Sequence, residues 1–454
     1  MSLRCFGIAA FALLAPLWNG GLALAEQRFP PPEFETGYKM PAITTPAPRG
    51  LAMEYVDVAV LVTALGVAAW LVHRKRSRRG LIVLSLFSLV YFGFYRKGCI
   101  CPIGAPQNVA YGLFNPDYAI PVTALAFFLV PLLFSLFSGR TFCSGVCPHG
   151  ALQDLVLIKP VKVPLWLEQG LSIVPYIFLG AGVLFAATGA GFVICRFDPF
   201  IPLFRMTGSF FILCLAGGFL LTSLFVGRPF CRFLCPYGAL LRLGSLVSKW
   251  RVRITPDYCT QCRLCEQSCP FGAIREPLAA TAHPGALAPD RRRLGWLLVL
   301  LPGLIALGAW GGSKLSVPAS RLHPTVALAE KYLDPKKPAP APGPATPESL
   351  ALTRADENAE AILTTAAAVR RKFDVGGWWF GGWVGLVVGL RLVSLSTRTA
   401  RTDFEPDRGS CYACGRCYLA CPNERVRVGL LSPAEAAGLN ANRAVVSASA
   451  PKQT

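Results

Sequence analysis

The sequence predicts an all-α polytopic membrane protein, with about seven transmembrane helices after a signal peptide and a small α+β cysteine-rich module in the cytoplasm. Three observations lead there. Of 454 residues, 53% are hydrophobic and only 15% are charged, against about a quarter charged in an ordinary soluble domain. The deficit lies in long apolar runs, which argues against a soluble enzyme. Basic clusters sit beside those runs, so the net charge of +20 marks the cytoplasmic face of a membrane protein rather than a nucleic-acid surface. The 17 cysteines fall mostly in tight, regularly spaced groups, which favours metal or cluster ligation over a disulfide scaffold.

The elements follow in order. Residues 1–25 read as a secretory signal: Arg4 opens it, Cys5 to Leu17 form its apolar region, and Ala23-Leu24-Ala25 its cleavage site. The competing reading is an uncleaved first anchor. Residues 26–54 form an exported Pro-rich leader. Seven apolar segments follow, at 55–72, 80–95, 119–137, 171–190, 208–226, 294–312 and 376–395, each close to the ~20 residues that cross a bilayer as a helix. Residues 55–250 make up a membrane domain, and the last two spans flank a periplasmic loop at 313–375. Arg74, Lys75, Arg76, Arg78 and Arg79 fill the turn after the first span, which the positive-inside rule places in the cytoplasm. Alternation then puts Lys159, Lys162, Lys249, Arg251, Arg253, Arg291 to Arg293, Arg391, Arg398 and Arg401 on the same side. The mature N-terminus lies outside and the C-terminus, with a flexible tail at 431–454, inside.

Two cysteine runs carry the chemistry. Cys259-x2-Cys262-x2-Cys265-x3-Cys269-Pro270, within 251–277, has the ligand spacing of a bacterial 4Fe-4S ferredoxin. Cys411-x2-Cys414-x2-Cys417-x3-Cys421-Pro422, within 401–430, repeats it. A short loop lets three thiolates reach one cubane, while the fourth, beside the proline, points to the other cluster. A zinc site would more typically use two separated Cys pairs. Two spans lie between the runs, so both fall on one face. The expectation is one two-cluster ferredoxin-like module split by a helical hairpin, with Cys259, Cys262, Cys265 and Cys421 on one cluster and Cys411, Cys414, Cys417 and Cys269 on the other.

The membrane domain contains a repeat. Thr141-Phe142-Cys143-Ser144-Gly145-Val146-Cys147-Pro148-His149-Gly150-Ala151-Leu152 matches Pro229-Phe230-Cys231-Arg232-Phe233-Leu234-Cys235-Pro236-Tyr237-Gly238-Ala239-Leu240. Each copy follows a span that runs inward, and paired units of this kind often place a shared site between them. Cys143, Cys147, Cys231 and Cys235 would make one four-thiolate site, most simply an iron-sulfur cluster, at the cytoplasmic rim; the alternatives are dithiol chemistry or a turn motif without a ligand. Tyr237 stands where the first copy has His149, so His149 is read as second to the ligands or as a surface residue. On the outside face, Cys99, Cys101 and Cys195 could form a further cluster completed by Cys214 or Asp198. An exported face equally allows a disulfide from Cys99 or Cys101 to Cys195, and Cys214 alone would be a small buried apolar residue.

The double F-C-x3-C-P-x-G-A-L motif followed by ferredoxin runs resembles the membrane polyferredoxins of the NosR/NapH type, over roughly residues 80–275 and 411–422. The resemblance implies electron transfer between a cytoplasmic or quinol donor and a periplasmic redox protein or reductase, in the inner membrane and within a multi-subunit complex. NosR-like proteins carry an exported flavin-binding domain, and the leader here is too short to form one, which puts the flavin in doubt. No C-x-x-C-H for covalent haem occurs, and His73, His149, His283 and His323 all lie outside the apolar segments. No G-x-G-x-x-G or P-loop marks a nucleotide site. Few acidic residues fall in the spans, which weakens a transporter reading. Gly376 to Trp383 read as an interface belt and close helix packing. The leading function is an electron-transfer subunit without substrate chemistry of its own. The alternative is an assembly or redox-sensing factor for a periplasmic metalloenzyme.

Overall fold

The computed structural model describes residues 51–98, 102–254, 259–277, 288–333, 359–396 and 403–438. The signal, most of the leader, Cys99, Cys101, His283 and the tail beyond residue 438 lie outside the described residues.

Each of the seven apolar segments is helical, but they are not of equal length. Among the described residues, five helices are long and apolar enough to cross a membrane: Ala52–Lys75, Arg78–Tyr95, Leu165–Ala187, Arg292–Ser320 and Ala359–Ser396. The other two are shorter. We label the main elements in chain order: α1 (Leu51–Trp70), α2 (Arg78–Ser88), α3 (Ala105–Phe114), α4 (Val122–Ser138), α5 (Thr141–Gly145), α6 (Pro148–Leu155), α7 (Leu165–Leu171), α8 (Val174–Ala187), α9 (Phe210–Ser223), α10 (Pro229–Phe233), α11 (Pro236–Leu246), α12 (Leu264–Ser268), β1 (Ile274–Arg275), α13 (Ala288–Ser320), α14 (Pro324–Leu333), α15 (Ala359–Ser396), β2 (Glu405–Pro406) and α16 (Arg416–Ala420). The 17 residues of α4 and the 14 of α9 rise about 25 Å and about 21 Å, less than the ~30 Å hydrocarbon core. These are the two helices that lead into the repeated cysteine motifs. Gly139, with φ of +70°, ends α4 in a backbone region that L side chains rarely adopt.

The short spans change where the motifs sit. By connectivity, the turn at 191–207 lies at the opposite end of the helices from residues 141–155. Yet His149 Nε2 stands 3.1 Å from both carboxylate oxygens of Asp198, and the Phe204 ring meets the His149 ring edge-on. The chain folds back from both ends into the thickness that α4 and α9 do not fill, so the first motif reaches beyond a rim. The last turn of the first span also differs from expectation. It continues past Trp70 as a π-helical turn, Leu71–Lys75, which places His73 on the span, with its Nε2 3.0 Å from the Ser138 carbonyl oxygen. Asp57, buried in α1, pairs with Arg96 at 2.6 Å and accepts from the Tyr91 hydroxyl at 2.9 Å, as an ionisable group among apolar helices must.

α13 and α15 form an antiparallel hairpin. A Cβ on Gly308, Gly312, Gly381 or Gly385 would run into the backbone of the opposing helix, so these glycines set how closely the two backbones approach, the small-residue packing common between membrane helices. The Trp383 indole donates to the Tyr176 carbonyl at 2.8 Å, which docks the hairpin on α8. At the end of the hairpin, β1 pairs antiparallel with β2, with Ile274 opposite Pro406 and Arg275 opposite Glu405. Segments some 130 residues apart thus close into one small module. It rests on the basic ends of the first spans: Arg78 donates to the Cys414 carbonyl at 2.8 Å, Arg76 pairs with Glu424 at 3.2 Å, and the Tyr418 hydroxyl donates to the Val72 carbonyl at 3.2 Å.

Candidate electron-transfer centres

In both ferredoxin runs the loop curls the same way. Gln261 and Ala413, each two residues after the first cysteine of its run, have φ of 54° and 52°. Arg263 and Gly415, each next after the second cysteine, have φ of 60° and 73°. Such left-handed steps turn successive backbone N–H groups toward one centre, a concavity suited to anions. The Ala413 N–H already lies 3.4 Å from Cys411 Sγ. Short helices, α12 and α16, then carry the third cysteine of each run and deliver the fourth one turn on.

The result is two adjoining cavities. The walls of one include Cys259, Cys262, Cys265 and Cys421. The walls of the other include Cys269, Cys411, Cys414 and Cys417. Each takes three cysteines from one run and the last from the other. Among the described residues no three Cys, His, Asp or Glu side chains converge on a point as ligands of a single ion would; the thiols ring a space instead. Burial pushes the Cys265 thiol up to about 12, with Cys262 beside it adding to the shift. Burial also pushes Cys411 up to about 12, against the pull of the Ala413 N–H. Four cysteines around each cavity are the donor set of an iron-sulfur group, whose positively charged core would hold them as thiolates.

The four repeat cysteines are also brought together. Cys143, Cys147, Cys231 and Cys235 are all buried in the central core, and the Cys147 and Cys231 thiols are within hydrogen-bonding reach of each other. Cys147 and Cys235 each precede a proline at the first turn of a helix, α6 and α11, where its missing N–H costs nothing. Gln153 locks the pair across the repeat: its amide donates to Cys231 Sγ at 3.2 Å and to the His149 carbonyl at 2.9 Å, and its Oε1 accepts the Phe230 N–H at 3.1 Å. His149 is buried, stacks on Phe230 and meets Phe200 edge-on. It is a packed neighbour of the cysteines and not a surface residue. Its counterpart Tyr237 meets Phe142 edge-on and donates to the Phe128 carbonyl at 2.8 Å. Each copy's aromatic thus packs on the other copy's phenylalanine, a reciprocal exchange that follows the repeat.

The module that carries the two cysteine runs touches this site directly. Tyr412, next to Cys411, donates its hydroxyl to the Cys231 carbonyl at 3.1 Å. Phe271, two residues after Cys269, packs on the Tyr412 ring at 4.7 Å. Sequence reading missed two further residues here. Arg140 and Arg228 are both buried among the motifs. Extending the repeat two positions upstream, Gly139-Arg140 against Gly227-Arg228, would have found them.

On the opposite side, only part of the expected outer group falls among the described residues. Cys99 and Cys101 lie outside them. Cys195, on the short turn Val193–Arg196, and Cys214, on α9, are both free and exposed. The Cys195 backbone N–H donates to Gln107 at 3.3 Å. Asp198 is hydrogen-bonded to His149 and accepts the Phe200 N–H at 2.9 Å.

A family model described as a 4Fe-4S binding domain matches residues 120–163 and 209–255, the two repeat units, and a second model of the same description matches residues 252–275. Among curated proteins, the chain is similar to Protein NirI of Paracoccus denitrificans, 33% identical over 32% of this chain and 23% of that one. It is similar to the Regulatory protein NosR of Pseudomonas aeruginosa, 24% identical over 44% of this chain and 30% of that one. It is also similar to the methylamine utilization ferredoxin-type protein MauN of Methylobacillus flagellatus, 24% identical over 40% of this chain and 66% of that one. The chain thus spans between 23% and 66% of the length of these relatives. No solved structure matches it significantly. With its matched 4Fe-4S domains and these relatives, the chain resembles the membrane polyferredoxins of the NosR/NapH type.

Proposed function

We propose that this protein is a membrane-bound relay that passes electrons singly between a cytoplasmic or quinol donor and a periplasmic redox partner, in the inner membrane and as part of a larger complex. Cys259, Cys262, Cys265 and Cys421 hold one 4Fe-4S cluster, and Cys411, Cys414, Cys417 and Cys269 a second. Cys143, Cys147, Cys231 and Cys235 hold a third iron-sulfur group. Bound there, such groups supply one-electron storage at each position. The chain's own residues hold them in series, exclude water from the inner site and set the gap between them.

One observation carries the reading: the second ferredoxin cavity adjoins the four repeat cysteines through Tyr412 and Phe271, so three four-thiol sites lie in a contiguous row. The foldback of residues 141–155 and 191–207 toward each other supports transfer across the membrane, because a relay partway through shortens a gap of ~30 Å. The side bearing Arg74 to Arg79, where the module docks, is the cytoplasmic one by the positive-inside rule. Anaerobic purification with iron and sulfide counts, followed by an EPR redox titration, tests this. The expected result is about twelve irons per chain, from three cubanes of four, each reducible and reoxidised by an outside acceptor. Zinc in place of iron, or eight irons and a disulfide at the repeat cysteines, would refute it. The designation of NosR as a regulatory protein favours a second reading as a redox sensor. A sensor would carry the clusters without turning over between donor and acceptor.

A further inference from the structure

Two arginines stand where the repeated motifs meet, and neither is accounted for by the cluster ligands. Arg140 and Arg228 occupy matched positions, three residues before Cys143 and Cys231, and are 5% and 1% exposed. Each reaches into the other copy's half. Arg228 donates to the Cys143 carbonyl and lies against Gly150, while Arg140 lies against Gly238, beside the Cys231 carbonyl. Gly150 and Gly238 are themselves matched, and a Cβ at either would meet the opposite guanidinium at 3.0 Å or 3.4 Å. The Tyr412 ring covers Arg140 at 3.9 Å and Arg228 at 5.7 Å.

The charges do not balance within the protein. Arg228 pairs with Asp154 at 2.6 Å, and Asp154 is shared with Arg78 at 3.8 Å. Among the described residues Arg140 has no carboxylate partner; one Nη donates to the Gly409 carbonyl at 3.2 Å and its Nε is unpartnered. A buried cation without an anion is costly, and the acidic groups beside Arg140 are the Tyr412 phenol and the Cys143 and Cys235 thiols of the repeat site. Four thiolates around a cubane core carry a net charge of about −2, the complement of two guanidinium groups.

We propose that Arg140 and Arg228 are potential-setting residues. They offset the charge of the cluster held by Cys143, Cys147, Cys231 and Cys235 and raise its reduction potential above that of the neighbouring ferredoxin clusters. The inference rests on the reading of those cysteines as cluster ligands. The step concerned is a one-electron transfer from the reduced cubane held by Cys269, Cys411, Cys414 and Cys417. That cubane is oxidised by one electron, the inner cluster is reduced by one, and no bond breaks. The added negative charge falls beside two fixed cations, so the electron is drawn toward the membrane interior.

The test is an EPR redox titration of the purified full chain, with the inner cluster's signal identified by its loss in Cys147→Ala. In Arg140→Gln that signal is expected to titrate lower by about 59 mV or more, the equivalent of at least a tenfold change in a one-electron equilibrium. The signal of the site built by Cys259, Cys262, Cys265 and Cys421 should keep its potential. That of the site at Cys411, which Arg140 also approaches, should shift less than the inner one, and Arg140→Lys should stay near the wild-type value. An unshifted inner signal in Arg140→Gln would overturn the proposal while leaving the cluster reading intact. If Arg140→Gln loses the signal altogether, Arg140→Lys decides: a signal kept at wild-type potential supports the role of charge, and its loss overturns it. If wild-type protein has no signal sensitive to Cys147→Ala, the cluster reading itself fails, and the proposal with it.

Discussion

Replacing Cys421 by alanine separates the crossed arrangement of the two ferredoxin runs from a simpler one. Along the chain, Cys421 closes the run that begins at Cys411, and the spacing already assigns it to the other run's cluster. In the fold it lies one helical turn beyond Cys417 along α16, about 6 Å of rise, and it faces the cavity of the other run. Cys417 lines the second cavity. The substitution therefore takes one of four thiolates from the site built by Cys259, Cys262 and Cys265 and none from the site built by its own run. The iron content should fall by between one atom, if a three-iron cluster survives, and about four if the cluster is lost. Iron analysis alone cannot assign the loss, so EPR is run beside Cys414→Ala, which marks the second site's signal. The expected outcome is that the second site's signal persists in Cys421→Ala and the first site's signal is lost or altered. Loss of only the signal that Cys414→Ala also removes would refute the crossed assignment. Cys269→Ala should produce the mirror-image result.

Three further outcomes follow from the packing. Gly381→Leu puts a side chain into the Gly308 backbone and should force the hairpin apart, at a cost of about 1–3 kcal/mol; thermal unfolding in detergent measures it, and an unchanged midpoint would contradict the close approach of α13 and α15. Tyr412→Leu removes both the hydroxyl bond to Cys231 and the ring over Arg140. It should leave iron content unchanged while slowing electron equilibration between module and membrane site by tenfold or more in freeze-quench EPR, whereas Tyr412→Phe, losing a hydrogen bond worth about 1 kcal/mol, should slow it little. His149→Ala leaves the Asp198 carboxylate buried without its partner, which should destabilise the membrane domain by about 3–5 kcal/mol. Adding Asp198→Asn should recover part of that loss in the same melting assay, and no recovery would show that the pair is not coupled.

The cysteine spacing was legible because cluster ligation is a local constraint: three thiolates must reach one core from a loop of seven residues, and two runs do so with identical spacing. The spans were legible for the same reason, since a bilayer imposes a length and a composition on each one separately. The internal repeat could be read from Phe142 to Leu152 and from Phe230 to Leu240, although its upstream edge at Gly139-Arg140 and Gly227-Arg228 was not. A lone arginine beside a span reads as an orientation signal, and only burial distinguishes it from one.

By itself, then, the sequence determined the helical membrane class, the eight ferredoxin cysteines and the kinship of the two repeat units. The crossed grouping of Cys421 and Cys269 was already implied by the spacing; what the tertiary structure adds is the means, the β1–β2 pairing of segments remote in sequence that brings each cysteine to the other run's cavity. The tertiary structure also decided that Asp198 belongs to His149, for the contact depends on two short helices that let loops from opposite ends fold inward. Local constraints are written in local residues, whereas partner choice across the molecule depends on how far each helix reaches.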